Sequence, residues 1–153
     1  MKIATVGLDL ARNVLQLHGV DSQGHLVARK QLGRTEVLRY FAKLEPCMVG
    51  MEACGSSHYW GRELAKLGHT VRLIAPQFVR PYVRSNKTDA ADAEAICEAV
   101  QRPHMRFVPV KTQAQQTILS LHRARAGLVK SRTALANQIR GLLGEFGIVL
   151  PQG

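Results

Sequence analysis

Residues 46–52, PCMVGME, decide how the rest of this chain is read. From Cys47 to Met51 the run is apolar without alternation, the pattern of a strand covered on both faces, as in a sheet with parallel strands under helices. It stops at Glu52, directly before the small-residue turn ACGSS. An acid that closes a fully apolar strand is harder to explain by solvation than an acid on a surface helix.

Towards the N-terminus, KIATVGLDL (residues 2–10) is a second apolar strand, and it ends on Asp9. NVLQLHGV (13–20) and HLVARKQL (25–32) are two further strands, joined by DSQG with Gly24 where a hairpin turn needs it. Thr35 is placed to cap a helix with Val37, Leu38, Phe41 and Leu44 on one stripe. On the other side of PCMVGM, Ser56 or Ser57 is placed to cap a helix carrying Trp60, Leu64 and Leu67 at i, i+4 and i+7, and TVRLI (70–74) is a fifth strand. The order β-β-β-α-β-α-β is an α/β arrangement, a mixed five-stranded sheet flanked by helices.

Residues 75–88 read as an irregular connector with Pro76 and Pro81, carrying Arg80, Arg84 and Lys87 and no acid. A helix follows from about Asp89 to Gln101, before Pro103 and Pro109. Residues 113–146 form one long helical pattern without proline. Leu121, Leu128, Leu135 and Leu142 recur every seven residues, interleaved with Ile118, Arg125, Arg132, Ile139 and Phe146. This is a coiled-coil seam with arginines at two apolar positions. At 1.5 Å per residue it would be roughly 50 Å long, too long to pack wholly on a small α/β core. Gly127, Gly141 and Gly144 each weaken it by about 1 kcal/mol, so a break near Gly141 is compatible with the pattern. The expected division is an α/β domain over 1–110 and a basic helical extension over 111–153. The apolar ending EFGIVLPQG reads as a cut within a longer protein.

The chain holds 21 Lys plus Arg against 11 Asp plus Glu, a formal charge of +10. A field of that sign attracts polyanions, nucleic acid first among them. No apolar run approaches the ~18 residues of a membrane span. The N-terminus lacks the pattern of a secretory signal, and three cysteines without a CxxC pair fit reduced thiols in a cytoplasmic protein.

Against that basic background the acids stand out. Asp9 and Glu52 end strands that, as parallel neighbours, would deliver both side chains to the sheet edge where open α/β folds build their sites. KTDAADAEAI (87–96) puts Asp89 and Asp92 on one face at the start of a helix. Four carboxylates gathered without cations would raise one another's pKa values, and divalent metals with oxygen ligands relieve that repulsion. Two Mg²⁺ ions (or Mn²⁺ in their place) about 4 Å apart would serve phosphodiester chemistry. Each acid has a structural reading too: Asp9 can cap a turn, and Asp89 and Asp92 suit any helix N-terminus. Trp60 reads as core, as do Cys54 and Cys97.

VGLDLARNVLQLHGVD, GMEACGSSHYWGREL, VRPYVRSNKTDAADAEAI and QIRGLLGEFGIVLP together closely resemble the N-terminal part of the DEDD transposases of one bacterial insertion-sequence family, relatives of the Piv-type DNA invertases. The resemblance implies a RuvC-like, ribonuclease H-type fold, with Asp9, Glu52, Asp89 and Asp92 as the catalytic, metal-binding tetrad. It also implies a C-terminal domain with a serine nucleophile beyond this chain, oligomerisation through the 113–146 helix, a structured guide RNA alongside DNA, and action at the nucleoid in the bacterial cytoplasm. From charge alone, Arg80, Arg84, Lys87, Arg123, Arg125, Lys130, Arg132 and Arg140 are the candidate nucleic-acid contacts. The expected activity is phosphodiester cleavage or strand transfer in DNA transposition. Two rivals stay open: a stand-alone Holliday-junction resolvase with the same fold and metals, and a non-catalytic nucleic-acid-binding dimer whose acids are structural. An actin-like ATPase is set aside, because LARN after Asp9 offers no Gly and hydroxyl residues to cradle phosphate.

Overall fold

Three antiparallel strands open the chain: β1 (Thr5–Leu10), β2 (Val14–Val20) and β3 (Leu26–Gly33). The computed structural model describes residues 2–83 and 88–151. The β2–β3 turn is held by the Asp21 carboxylate, whose Oδ1 accepts the N–H groups of Gln23 and His25 at 2.9 Å each. β4 (Met48–Glu52) lies parallel to β1, and β5 (Thr70–Ile74) lies parallel to β4. The sheet order is β3-β2-β1-β4-β5, with one further short strand beyond β5.

The sheet therefore has six strands, not the expected five. β6 (Phe107–Val108) adds antiparallel to β5, with Leu73 opposite Val108 and Ile74 opposite Phe107. Two residues between prolines are too short a run for any periodicity to show.

One sheet face carries the larger core. Val6, Leu8, Leu15, Leu17, Val49, Met51 and Leu73 pack there with Val37 and Phe41 of α1 (Val37–Phe41) and Trp60 and Leu64 of α2 (Ser57–Lys66). His69 stitches this layer together: its ring accepts the Cys47 N–H at Nδ1 (3.3 Å), and Nε2 donates to the Phe41 carbonyl (3.1 Å). Trp60 is core, as expected, and the guanidinium of Arg34 lies 5.3 Å from its ring.

The opposite face is covered by α4 (Asp89–Val100), whose Ala95, Ile96, Ala99 and Val100 pack with Ile74 and Val79. α4 comes unusually close because the sheet offers glycine beneath it. A Cβ on Gly7 would sit 2.1 Å from the Ala93 carbonyl oxygen and 2.5 Å from the Cys97 nitrogen. On Gly50 it would sit 2.8 Å from Val100 Cβ. Gly7 and Gly50 face one another in the parallel register, so together they make a flat bed for the helix.

Helix caps depart from expectation. α1 begins after Glu36, not on a Thr35 cap, and the Glu36 carboxylate reaches back to the Gly33 N–H at 2.8 Å. Neither serine caps α2 with its side chain: Ser56 sits at φ 69°, and the buried Ser57 hydroxyl donates to the Cys54 carbonyl at 2.9 Å. Short hydroxyl side chains have several backbone partners within reach, and here a local turn wins over the cap. The connector is not irregular throughout either. Pro76 starts a one-turn helix, α3 (Pro76–Val79), and a 3₁₀ turn follows over Arg80–Tyr82. Proline at a first helical position loses no hydrogen bond and already has the required φ.

The chain divides into two compact units, residues 1–110 and 111–153. The second is built on α5 (Gln113–Gly144), 32 residues long and opened by a capping box between Thr112 and Gln115. It runs through Gly127 and Gly141 without a break and stops at Gly144, two residues short of Phe146. Its leucines 121, 128, 135 and 142 are all more than half exposed. Among the described residues no helix is long and apolar enough to cross a membrane.

Candidate metal centre

Strand period and register place the first two acids. Asp9 follows Gly7 by two residues and Glu52 follows Gly50 by two, so each shares its glycine's sheet face, the one under α4. With Leu8 opposite Met51 in the parallel ladder, Asp9 and Glu52 come next at the C-terminal edge. α4 crosses that face with Cys97 and Ala93 over Gly7. Its first turn, which holds Asp89 and Asp92, therefore lies towards the same edge. Thr88 caps that turn, its hydroxyl accepting the Ala91 N–H at 3.2 Å. The positive end of the helix dipole favours carboxylates there.

Electrostatics report the convergence. Burial first, then the charges of Asp92, Asp89 and Glu52, push the pKa of half-buried Asp9 up to about 6. Asp9 thus senses all three other acids. Glu52 and Asp92 also line one cavity of roughly 410 Å³, walled by Pro76, Arg80 and Val83. Asp92 is partly buried and Asp89 exposed.

The donor chemistry is all carboxylate oxygen, which suits hard divalent cations, and a cation would relieve the repulsion that lifts Asp9. Among the described residues, however, no three His, Cys, Asp or Glu side chains lie close enough to chelate one ion together. The acids are gathered on one edge but not drawn into a closed cage.

The other predicted contacts divide. Arg80 stands in the wall of the carboxylate cavity. Arg84 and Lys87 lie outside the described residues. Arg123, Arg125, Lys130 and Arg132 are exposed along α5, and Arg140 is partly buried with its Nη1 donating to Asn137 Oδ1 at 3.1 Å. Cys97 is core, but Cys54 is exposed, a correction to its expected burial that follows from its place in the turn after β4. Partial burial and then the charges of Glu52 and Asp9 raise the Cys54 pKa, which keeps it a thiol and argues against a nucleophile. The signal missed in the sequence is the repeated glycine two places before each strand-end acid, in GLD and GME.

The profile of a family described as transposase, of the DEDD type and the IS110 group, matches residues 6–148. The chain belongs to this family. It is 62% identical over 149 residues to a Pseudomonas aeruginosa protein named "Probable family 20 transposase", covering 97% of this chain and 44% of that protein. It is 44% identical over 151 residues to the transposase for insertion sequence element IS1328 of Yersinia enterocolitica, covering 99% and 45%. To the transposase for IS1111A of Coxiella burnetii it is 45% identical over 151 residues, covering 99% and 42%. This family member thus spans less than half the length of those relatives. Among solved structures, T. thermophilus RuvC in complex with Holliday junction substrate is similar at a TM-score of 0.49 and 13% identity, covering 69% of this chain and 99% of that one.

Proposed function

We propose that this chain is the metal-binding part of a DNA transposase, in which Asp9, Glu52, Asp89 and Asp92 hold two Mg²⁺ ions for phosphodiester cleavage and strand transfer. The observation that carries the reading is geometric: Asp9 and Glu52 end neighbouring parallel strands, and Asp92 of α4 lines one cavity with Glu52, with the raised pKa of Asp9 in agreement. The sheet order β3-β2-β1-β4-β5, antiparallel on one side of β1 and parallel on the other, supports the ribonuclease H-like fold that the resemblance implies.

Bound divalent ions would supply Lewis acidity and charge neutralisation at a phosphodiester. The chain's own groups do the rest. Asp9 and Glu52, fixed on neighbouring strands, present the rigid side of the site, and Asp92 of α4 lines one cavity with Glu52. With its pKa raised to about 6, Asp9 would hold a proton below that pH, and a bound cation would favour its ionised form. Arg80, in the cavity wall, offers a guanidinium to the nucleic-acid backbone at the same place. The exposed cations of α5 offer a basic surface of their own to DNA and to a guide RNA, and its leucine stripe supports a homo-oligomer. The work would take place on DNA at the bacterial nucleoid.

The test is strand cleavage on element-end DNA by the whole transposase, with Mg²⁺ and with Glu52→Gln. The reading requires cleavage to need the metal and to fall at least about 100-fold in the variant, the order lost with a major transition-state contact. Symmetric cutting of a bare four-way junction by this chain alone would favour a resolvase instead. The absence of a closed cage among the described residues favours one other reading, a non-catalytic nucleic-acid-binding dimer. It requires binding that ignores both Mg²⁺ and Asp9.

A further inference from the structure

The short segment 76–83 separates two cavities. Pro76, Arg80 and Val83 turn towards the carboxylates, whereas Phe78 and Tyr82 turn the other way and line a second cavity of roughly 430 Å³. That volume lies within the roughly 300–1,000 Å³ usual for small-ligand sites. Its far wall is Arg102, Pro103, His104 and Arg106. The guanidinium of Arg102 lies 5.4 Å from the centre of the Tyr82 ring, tethered from behind by Glu98. Among the described residues that line it, none is acidic. Flat rings backed by guanidiniums are what a nucleobase and its phosphate need: the ring takes the base by stacking, the cations take the backbone. The neighbouring cavity beyond Arg102, beside buried His18, has Glu94 and Glu98 in its wall and the wrong charge for the same task.

We infer that the cavity of Phe78, Tyr82, Arg102, His104 and Arg106 receives one unpaired base of the DNA strand whose backbone runs past the carboxylates. The choice of DNA as the strand rests on the transposase reading; the base pocket itself does not. A base held on one side of segment 76–83 fixes which phosphate lies on the other side, beside Arg80, Glu52 and Asp92. The pocket would therefore set where the strand is cut, without adding a group to the chemistry.

The experiment measures binding of a fluorescent base in EDTA, so that metal plays no part. The probe is an otherwise abasic DNA oligonucleotide carrying a single 2-aminopurine, compared with the fully abasic strand and with an RNA of matched length carrying the same base. The base should tighten binding about 5- to 150-fold, with quenched fluorescence. Tyr82→Leu, which keeps apolar bulk, should erase that difference. Should Tyr82→Leu melt early, Arg106→Gln on the exposed rim is the second variant, and it should weaken both DNA strands while keeping the quench. Equal binding of the abasic strand, or unchanged binding by folded Tyr82→Leu, would overturn the pocket. Tenfold tighter binding of the RNA would overturn the assignment to DNA. Neither result depends on whether the carboxylates bind metal, so the two readings fail separately.

Discussion

The two units of this chain use the same residue types for opposite ends. In residues 1–110 leucine, valine and glycine answer to the fold: Leu8 and Val49 are fully buried, and Gly7 and Gly50 exist because a helix lies on them. In α5 the leucines 121, 128, 135 and 142 face outward, and Gly127 and Gly141 have nothing within 4 Å of an added Cβ. Charge divides likewise. The first unit gathers acids at one sheet edge, and the second spreads arginine and lysine along an exposed helix. A residue pattern that its own unit does not explain points outside that unit. For α5 the partners proposed above are a second copy and a polyanion; for the acids, a cation.

Glycine gives the sharpest contrast, and the largest effect. Gly7→Ala should cost at least about 3 kcal/mol, the upper range for overpacking, because the new methyl meets helix backbone and not a movable side chain. Denaturant unfolding would measure it. A cost under about 1 kcal/mol would mean that α4 does not lie so close to β1. In α5 the same change has the opposite sign: Gly127→Ala should stabilise the helix by about 0.5–1 kcal/mol.

Acids and apolar stripe can be separated in the same way. Asp9→Asn should stabilise the metal-free chain at neutral pH, by less than about 1 kcal/mol once the screening of a half-exposed group is allowed for. The sign follows from proton linkage. With the folded pKa near 6 and the unfolded near 3.8, the native state binds more protons between those values, so its stability falls as pH rises from about 4 to about 6. Thermal melts across that window should show the slope in wild type and a shallower one in Asp9→Asn. Leu128→Glu, by contrast, should leave the α/β unit's melting unchanged and shift the proposed oligomer towards monomer in sedimentation. Smallest of all, Arg123→Gln should lower DNA affinity only slightly and reduce the salt dependence of log K by about one unit of slope.

What was legible in the sequence tracks the physics that wrote it. Five strands could be read because burial on one or two faces imposes period two or a continuous apolar run. α4 and α5 could be read because their lengths exceed any strand and prolines bound them. β6 could not, since two residues carry no period. The close seat of α4 on β1 was hidden as well, because a glycine's purpose lies in a neighbour far along the chain. The side-chain caps expected of Thr35, Ser56 and Ser57 do not form: α1 starts after Glu36, Ser56 holds the N-cap position of α2 without a side-chain bond, and a local carbonyl, that of Cys54, takes the Ser57 hydroxyl. Of the site, the four acids were visible as departures from a basic composition. Their convergence needed the parallel register of β1 and β4, and the walls of both cavities, Pro76, Val83, Phe78 and Tyr82, needed the turn over 76–82.

The proposed site stands or falls on whether Asp9, Glu52, Asp89 and Asp92 share a divalent cation. Calorimetric titration of Mn²⁺ into the wild-type chain, Asp9→Ala and Asp92→Ala tests it most directly, because these two acids come from different elements and meet only in the fold. Saturable binding in wild type, lost in both variants, is the predicted result. Binding that survives either substitution, or its absence in wild type even with DNA present, would contradict it and leave the acids as a helix start and two strand ends.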